Sequence, residues 1–192
     1  MTISMKFCKE NIRKFDQLLF TKADDPIEHI IEFASQQDGF HIATVDTVTD
    51  YGIEAWSSNA LKGPHKAFYT WEQLKADEVE LYRFIFRANI THGALFSLQG
   101  YYDSFIYKKF GYDYWAIFSF VKRWLPKFAK NWFQGSKKAM ICSEYSVRCW
   151  ELAQIIKPKK RADEYTPFEV CEEFFSFKFK FKHLEIKWKQ QR

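Results

Sequence analysis

Two alternating runs joined by one tight turn constrain this chain more than any other feature. Residues 40–48, FHIATVDTV, are β-branched and alternate in polarity, which predicts a strand. The turn Asp50-Tyr51-Gly52 follows, and IEAWS over 53–57 predicts a second strand, so the pair reads as an antiparallel hairpin. A hairpin alone is marginal in water and needs a layer to cover its apolar face. The clearest helical pattern supplies one: from 142 to 156, Leu152, Ile155 and Ile156 recur along one side and Pro158 stops the run. The expected class is therefore α+β, with a small antiparallel sheet packed on that helix.

Further strands are expected over 15–20 (FDQLLF), 66–70 (KAFYT) and 79–87 (VELYRFIFR), with one helical turn in WEQLKAD between the last two. Asp25 and Pro26 open a helix over 25–37. A second spans 91–109, with Leu95, Leu98, Tyr102, Phe105 and Ile106 on one face. Gly111-Tyr112-Asp113-Tyr114 interrupts it, residues 114–133 are aromatic-rich and broken at Pro126, and Gly135-Ser136 marks a turn. The tail 174–188 alternates aromatic residues and lysine with the period of a strand. The whole reads as one domain, 1–192, with a helical, aromatic-rich insert at about 91–135.

Composition narrows the function classes. With 192 residues, 47% hydrophobic and 28% charged, the chain is globular and can bury a core. The N-terminus lacks the apolar stretch of a secretory signal, and no run is long enough to span a membrane. Cys8, Cys142, Cys149 and Cys171 then read as free thiols of a reducing cytosol. A virion-associated protein is the counterpart expectation for a phage source, which compact size and aromatic excess would suit. A net charge of +5 permits an anionic partner without demanding one. The KFKFKHLEIKWK tail could stack single-stranded nucleic acid, but its period favours an edge strand with Phe inward and Lys outward. The 115–133 cluster could lie on a membrane surface, but core packing is the favoured reading. No CxxC or HxxxH metal spacing and no phosphate-binding glycine loop occurs, so neither metal nor cofactor is expected.

Three segments carry candidate chemistry: GFHIATVD at 39–46, GIEAWS at 52–57 and MICSEYS at 140–146. Cys142 opens the strongest helix, where the dipole favours a thiolate. His41, at a strand start, is the candidate base, and Glu54 on the neighbouring strand the candidate to orient its imidazole. Taken singly, a cysteine beside apolar residues is most often a small buried hydrophobe, a histidine is most often structural, and a strand glutamate is most often solvated.

Their order gives them weight. Gly39-Phe40-His41-Ile42-Ala43, Ile53-Glu54-Ala55 and Cys142-Ser143-Glu144 together resemble the permuted branch of the NlpC-type papain-like families. That branch contains the YiiX-like and YaeF-like proteins and lecithin:retinol acyltransferase. Gly111-Tyr112-Asp113-Tyr114 is similar to the segment ahead of its nucleophile helix, and Thr166-Pro167-Phe168-Glu169 to the segment after it. The chain departs at the opening "GD" strand, which is Phe15-Asp16 here, and at Phe40, where the family has serine. The resemblance implies a circularly permuted papain-like fold and a Cys142-His41-Glu54 triad. That triad would act through a thioester on an amide or ester, such as a peptidoglycan peptide or a lipid. Aromatic content of 20% exceeds what one core of this size readily hides, so Tyr112 and Tyr114 are expected to line the substrate pocket. The alternative is a catalytically inactive binding or structural protein on the same fold, associated with a membrane surface or nucleic acid.

Overall fold

Pairing between strands far apart in sequence builds one six-stranded sheet. A computed structural model describes residues 3–22, 39–59, 61–85, 90–111 and 140–186. Chain order runs β1 (Ile3–Ser4), α1 (Met5–Asn11), β2 (Gln17–Phe20), β3 (His41–Val48), β4 (Gly52–Asn59), β5 (Gly63–Thr70), α2 (Trp71–Ala76), β6 (Glu80–Phe84) and α3 (His92–Tyr107). It continues with α4 (Cys142–Leu152), α5 (Pro167–Phe174), β7 (Phe175–Lys180) and β8 (Leu184–Glu185). The sheet order is β5-β4-β3-β2-β6-β7, and all its pairings are antiparallel. β1 and β8 form a separate parallel pair.

Both faces of the sheet are covered, which is why β2 is buried at every residue. Leu19, Ile42, Trp56, Tyr82 and Phe84 join a core with Leu98, Tyr102 and Phe105 of α3, Tyr145, Cys149 and Trp150 of α4, and Val170 and Cys171 of α5. Leu18, Phe20, Ala43, Val45, Ile53, Ala55 and Leu81 join a second core with Cys8 of α1, Trp71 and Leu74 of α2, and Phe181. The strands alternate between these cores with period two. The structure is thus mixed α+β, with α3, α4 and α5 on one face of the sheet and α1 and α2 on the other.

The expected hairpin, the 66–70 and 79–87 strands, the short helix in WEQLKAD and the 91–109 helix all have counterparts in β3–β4, β5, β6, α2 and α3. α4 stops at Leu152, short of 156: Gln154 turns at φ 58°, and the amides of Ile155 and Ile156 fold back onto the Trp150 carbonyl at 3.1 and 3.5 Å. The tail becomes edge strand β7, but its alternation is incomplete, since Phe177 is 49% exposed and edge-packed on Tyr82. The helix expected over 25–37, the aromatic run 114–133 with Pro126, the Gly135-Ser136 turn, and Tyr112 and Tyr114 lie outside the described residues. Among the described residues, no helix is long and apolar enough to cross a membrane.

The β3–β4 ladder carries a bulge between Val45 and Thr47, which leaves Asp46 at the irregularity. Its nearly buried carboxylate is held by Lys14 at 2.7 Å and by Lys66, and both ammonium groups sit over the Trp56 ring, at 5.2 and 5.1 Å. Burial alone would raise the Asp46 pKa, but the bonds and charges of Lys14 and Lys66 outweigh it and hold the carboxyl below its ordinary value. A depressed folded pKa contributes stability above the unfolded value, and that stability is lost as pH falls through the folded one. Asp46→Asn should therefore lower stability at neutral pH and flatten its decline in acid, as read from urea midpoints between neutral pH and about pH 3.

Candidate active site

The site candidates gather at the end of the sheet where β3 begins and β4 ends. His41 is the first residue of β3 and pairs with Phe20. Gly39, two residues earlier, holds φ +121°, and a Cβ there would lie 2.8 Å from Leu19, so the entry to the strand requires glycine. The His41 Nε2 atom lies 2.9 Å from the Ser57 hydroxyl, which also accepts from the Tyr69 phenol at 3.1 Å. The phenol is 3.5 Å from the same Nε2, and the Phe20 ring packs on the imidazole at 5.1 Å between centroids.

Cys142 reaches the same sheet end through its lead-in segment. Ser58 donates to the Met140 carbonyl at 2.8 Å, and the Met140 amide donates to Gly111 at 2.9 Å. Gly63, at the start of β5, passes so close to residues 110–111 that a Cβ would lie 2.2 Å from the Phe110 carbonyl oxygen. Cys142 is the first residue of α4, and its N-cap Ile141 supplies no side-chain hydrogen bond to the first turn. Glu144 in that turn is paired with Arg148 at 2.6 Å, one turn on.

The two candidates arrive from opposite faces. His41 turns with Ala43 and Val45 toward α1 and α2, whereas Ile42 and Thr44 turn toward α3 and α4. Cys142 is 3% exposed and belongs to the α3–α5 core, while Ile141 packs into the core on His41's side. The start of α4 thus straddles the sheet end.

Glu54 is elsewhere. The ladder sets it opposite Thr47, six residues along β3 from His41 (41 to 47), or roughly 20 Å at about 3.3 Å per residue. It is exposed and lies opposite Phe68 of β5. The expected role of Glu54 in orienting the imidazole is therefore corrected: Ser57, backed by Tyr69, occupies that place. Counting from the Asp50-Tyr51-Gly52 turn alone would set Ser57 opposite Thr44, on the other face; the bulge at Asp46 shifts the ladder by one, so Thr44 pairs with Trp56 and Ser57 becomes the diagonal neighbour of His41. His65 faces Ser57 from β5, but its Nδ1 donates to the Gly63 carbonyl at 2.8 Å, and burial lowers its pKa.

All four cysteines are buried, and none forms a disulfide. Burial pushes the Cys8 thiol up to about 12 and those of Cys149 and Cys171 well above the ordinary range. Among the described residues, no group of histidine, cysteine and carboxylate side chains could hold a metal ion. No protein-family model matches the chain, and no curated protein matches its sequence.

Tyr102 fixes α4 against the sheet. Its ring stacks on Trp56 at 4.9 Å, and its phenol oxygen meets Thr44 at 2.8 Å, Trp150 Nε1 at 3.1 Å and Ser146 at 3.3 Å. Its carbonyl accepts from the Tyr145 hydroxyl at 2.8 Å. Removing the phenol oxygen strands several buried groups at once, so Tyr102→Phe should cost about 1–3 kcal/mol in urea unfolding while the far-UV spectrum is retained.

Proposed function

We propose that the protein is a thiol hydrolase or acyltransferase of the permuted papain-like type, with Cys142 as nucleophile and His41 as base. The observation that carries this reading is the convergence of the β3 start and the α4 start on one sheet end, with the imidazole gripped at Nε2. Phe15 supports the family resemblance. It stands where the family has glycine, and it holds φ +70°, the conformation glycine favours. The following Asp16 is fully buried, chelated by Arg83 at 2.7 and 3.0 Å and by the Arg13 amide at 2.8 Å. A glycine-type conformation followed by a buried aspartate is what a Gly-Asp opening would favour, and it supports the resemblance.

In the proposed reaction Cys142 loses its thiol proton to His41, and the thiolate attacks the carbonyl carbon of an amide or ester. The first-turn N–H groups of α4, left without a side-chain cap by Ile141, donate to the developing oxyanion. Collapse breaks the bond to the leaving group, which takes the proton from the imidazolium. Water or a second acceptor then cleaves the thioester. No cofactor enters these steps. Tyr112 and Tyr114 remain the proposed pocket wall, facing an acyl or peptide group.

The near-complete burial of Cys142 in an apolar core favours a second reading, a binding or structural protein on the same scaffold. Iodoacetamide labelling at about pH 6 separates the two, because an unperturbed thiol is almost fully protonated there. The hydrolase reading expects Cys142 to be alkylated ahead of Cys8, Cys149 and Cys171, slowing about tenfold in His41→Ala and unchanged in Glu54→Gln. Equal, slow labelling of all four thiols would establish the second reading.

A further inference from the structure

We propose that Ser57 and Tyr69 are positioning residues that fix the tautomer of His41, an inference resting on the role of His41 as base. The argument follows the protons. A serine hydroxyl has one proton and two lone pairs. The Tyr69 phenol donates into one lone pair at 3.1 Å, and His41 Nε2 lies 2.9 Å from the same oxygen. Two arrangements satisfy these contacts. If Ser57 donates to Nε2, the neutral ring carries its proton on Nδ1 and has no lone pair left for the thiol proton. If Ser57 accepts from Nε2–H, Nδ1 is the basic nitrogen, and Cys142 must deliver its proton there.

Only the second arrangement survives protonation. In the imidazolium both nitrogens donate, so a hydroxyl that already accepts from Nε2 keeps its orientation while the charge forms. The surroundings hold it there. Ser57 is 1% exposed, so water does not substitute for its oxygen, and the Tyr69 ring is pinned against Phe20 at 4.9 Å between centroids. His65, the other titratable ring beside Ser57, is engaged with Gly63. Neutral dipoles thus do the work for which the sequence suggested the carboxylate of Glu54. They select the tautomer without adding a negative charge beside the ring.

Histidine-selective 15N labelling of the full chain tests this, with the His41 signals identified by their loss in His41→Gln. The native protein should show His41 protonated at Nε2 and bare at Nδ1. Ser57→Ala and Tyr69→Phe, the latter keeping the ring on Phe20, should each mix the tautomers, while Ser57→Thr, which restores a hydroxyl, should return the native pattern. Cys142 alkylation in Ser57→Ala should slow roughly tenfold, the scale of one hydrogen bond to a charged group. A native His41 protonated at Nδ1, or tautomers unmoved in both Ser57→Ala and Tyr69→Phe, would overturn the inference. Tautomers that shift while Cys142 stays inert in every variant would uphold the positioning and refute the hydrolase reading instead.

Discussion

The phenol of Tyr102 is the contact on which the arrangement of sheet and helices depends. One oxygen serves β3 through Thr44 and α4 through Trp150 and Ser146. Gln17 of β2 closes the circuit by accepting from Thr44 at 2.9 Å and from Ser146 at 3.3 Å. Trp150 can only donate, and Thr44 and Ser146 give their own protons to Gln17, so the Tyr102 proton goes to Thr44 and the 3.3 Å approach of Ser146 to the phenol is a contact without a proton of its own. In a dry core, a network satisfied in this way permits little sliding, because any displacement orphans a polar atom. The apolar contacts decide that α3 and α4 cover this face, and the hydroxyl circuit decides where along the sheet they sit. The location of Cys142 follows from that register.

Trp56 is the apolar counterpart. It lies between the stacked rings of Phe15 at 5.6 Å and Tyr102 at 4.9 Å, and its indole donates to Asp103 at 2.9 Å. The stack bears on Phe15, whose left-handed backbone costs on the order of 1 kcal/mol for a residue with a side chain. Glycine would remove that cost and lose the ring. Burial of a phenyl group against indole is worth more than the strain, which accounts for an aromatic residue in a glycine conformation.

What the sequence made legible follows the strength of local signals. The 40–57 hairpin, α3 and the start of α4 have strong period or turn chemistry and were readable. So was the pairing of Cys142 with a helix start. Glu54 falls far from His41 because strand membership does not specify register: the turn at 50–52 sets Glu54 opposite Thr47, and the bulge at Asp46 shifts only the rungs beyond it, from Ala55 on. α1 and the β1–β8 pair were not anticipated, since a seven-residue helix and a two-residue bridge owe their existence to tertiary packing. α5 carried an unused signal. Thr166-Pro167 followed by Glu169 is a capping box with proline at the first turn, and the structure forms it in full.

The bond from the Met140 amide to the Gly111 carbonyl joins two positions 29 residues apart in sequence at one point of the fold. That closure is braced by Gly63, packed against residues 110–111, and by Ser58 at the Met140 carbonyl. The helix that presents Cys142 is thus moored at its entry by β4, by β5 and by the chain that follows α3.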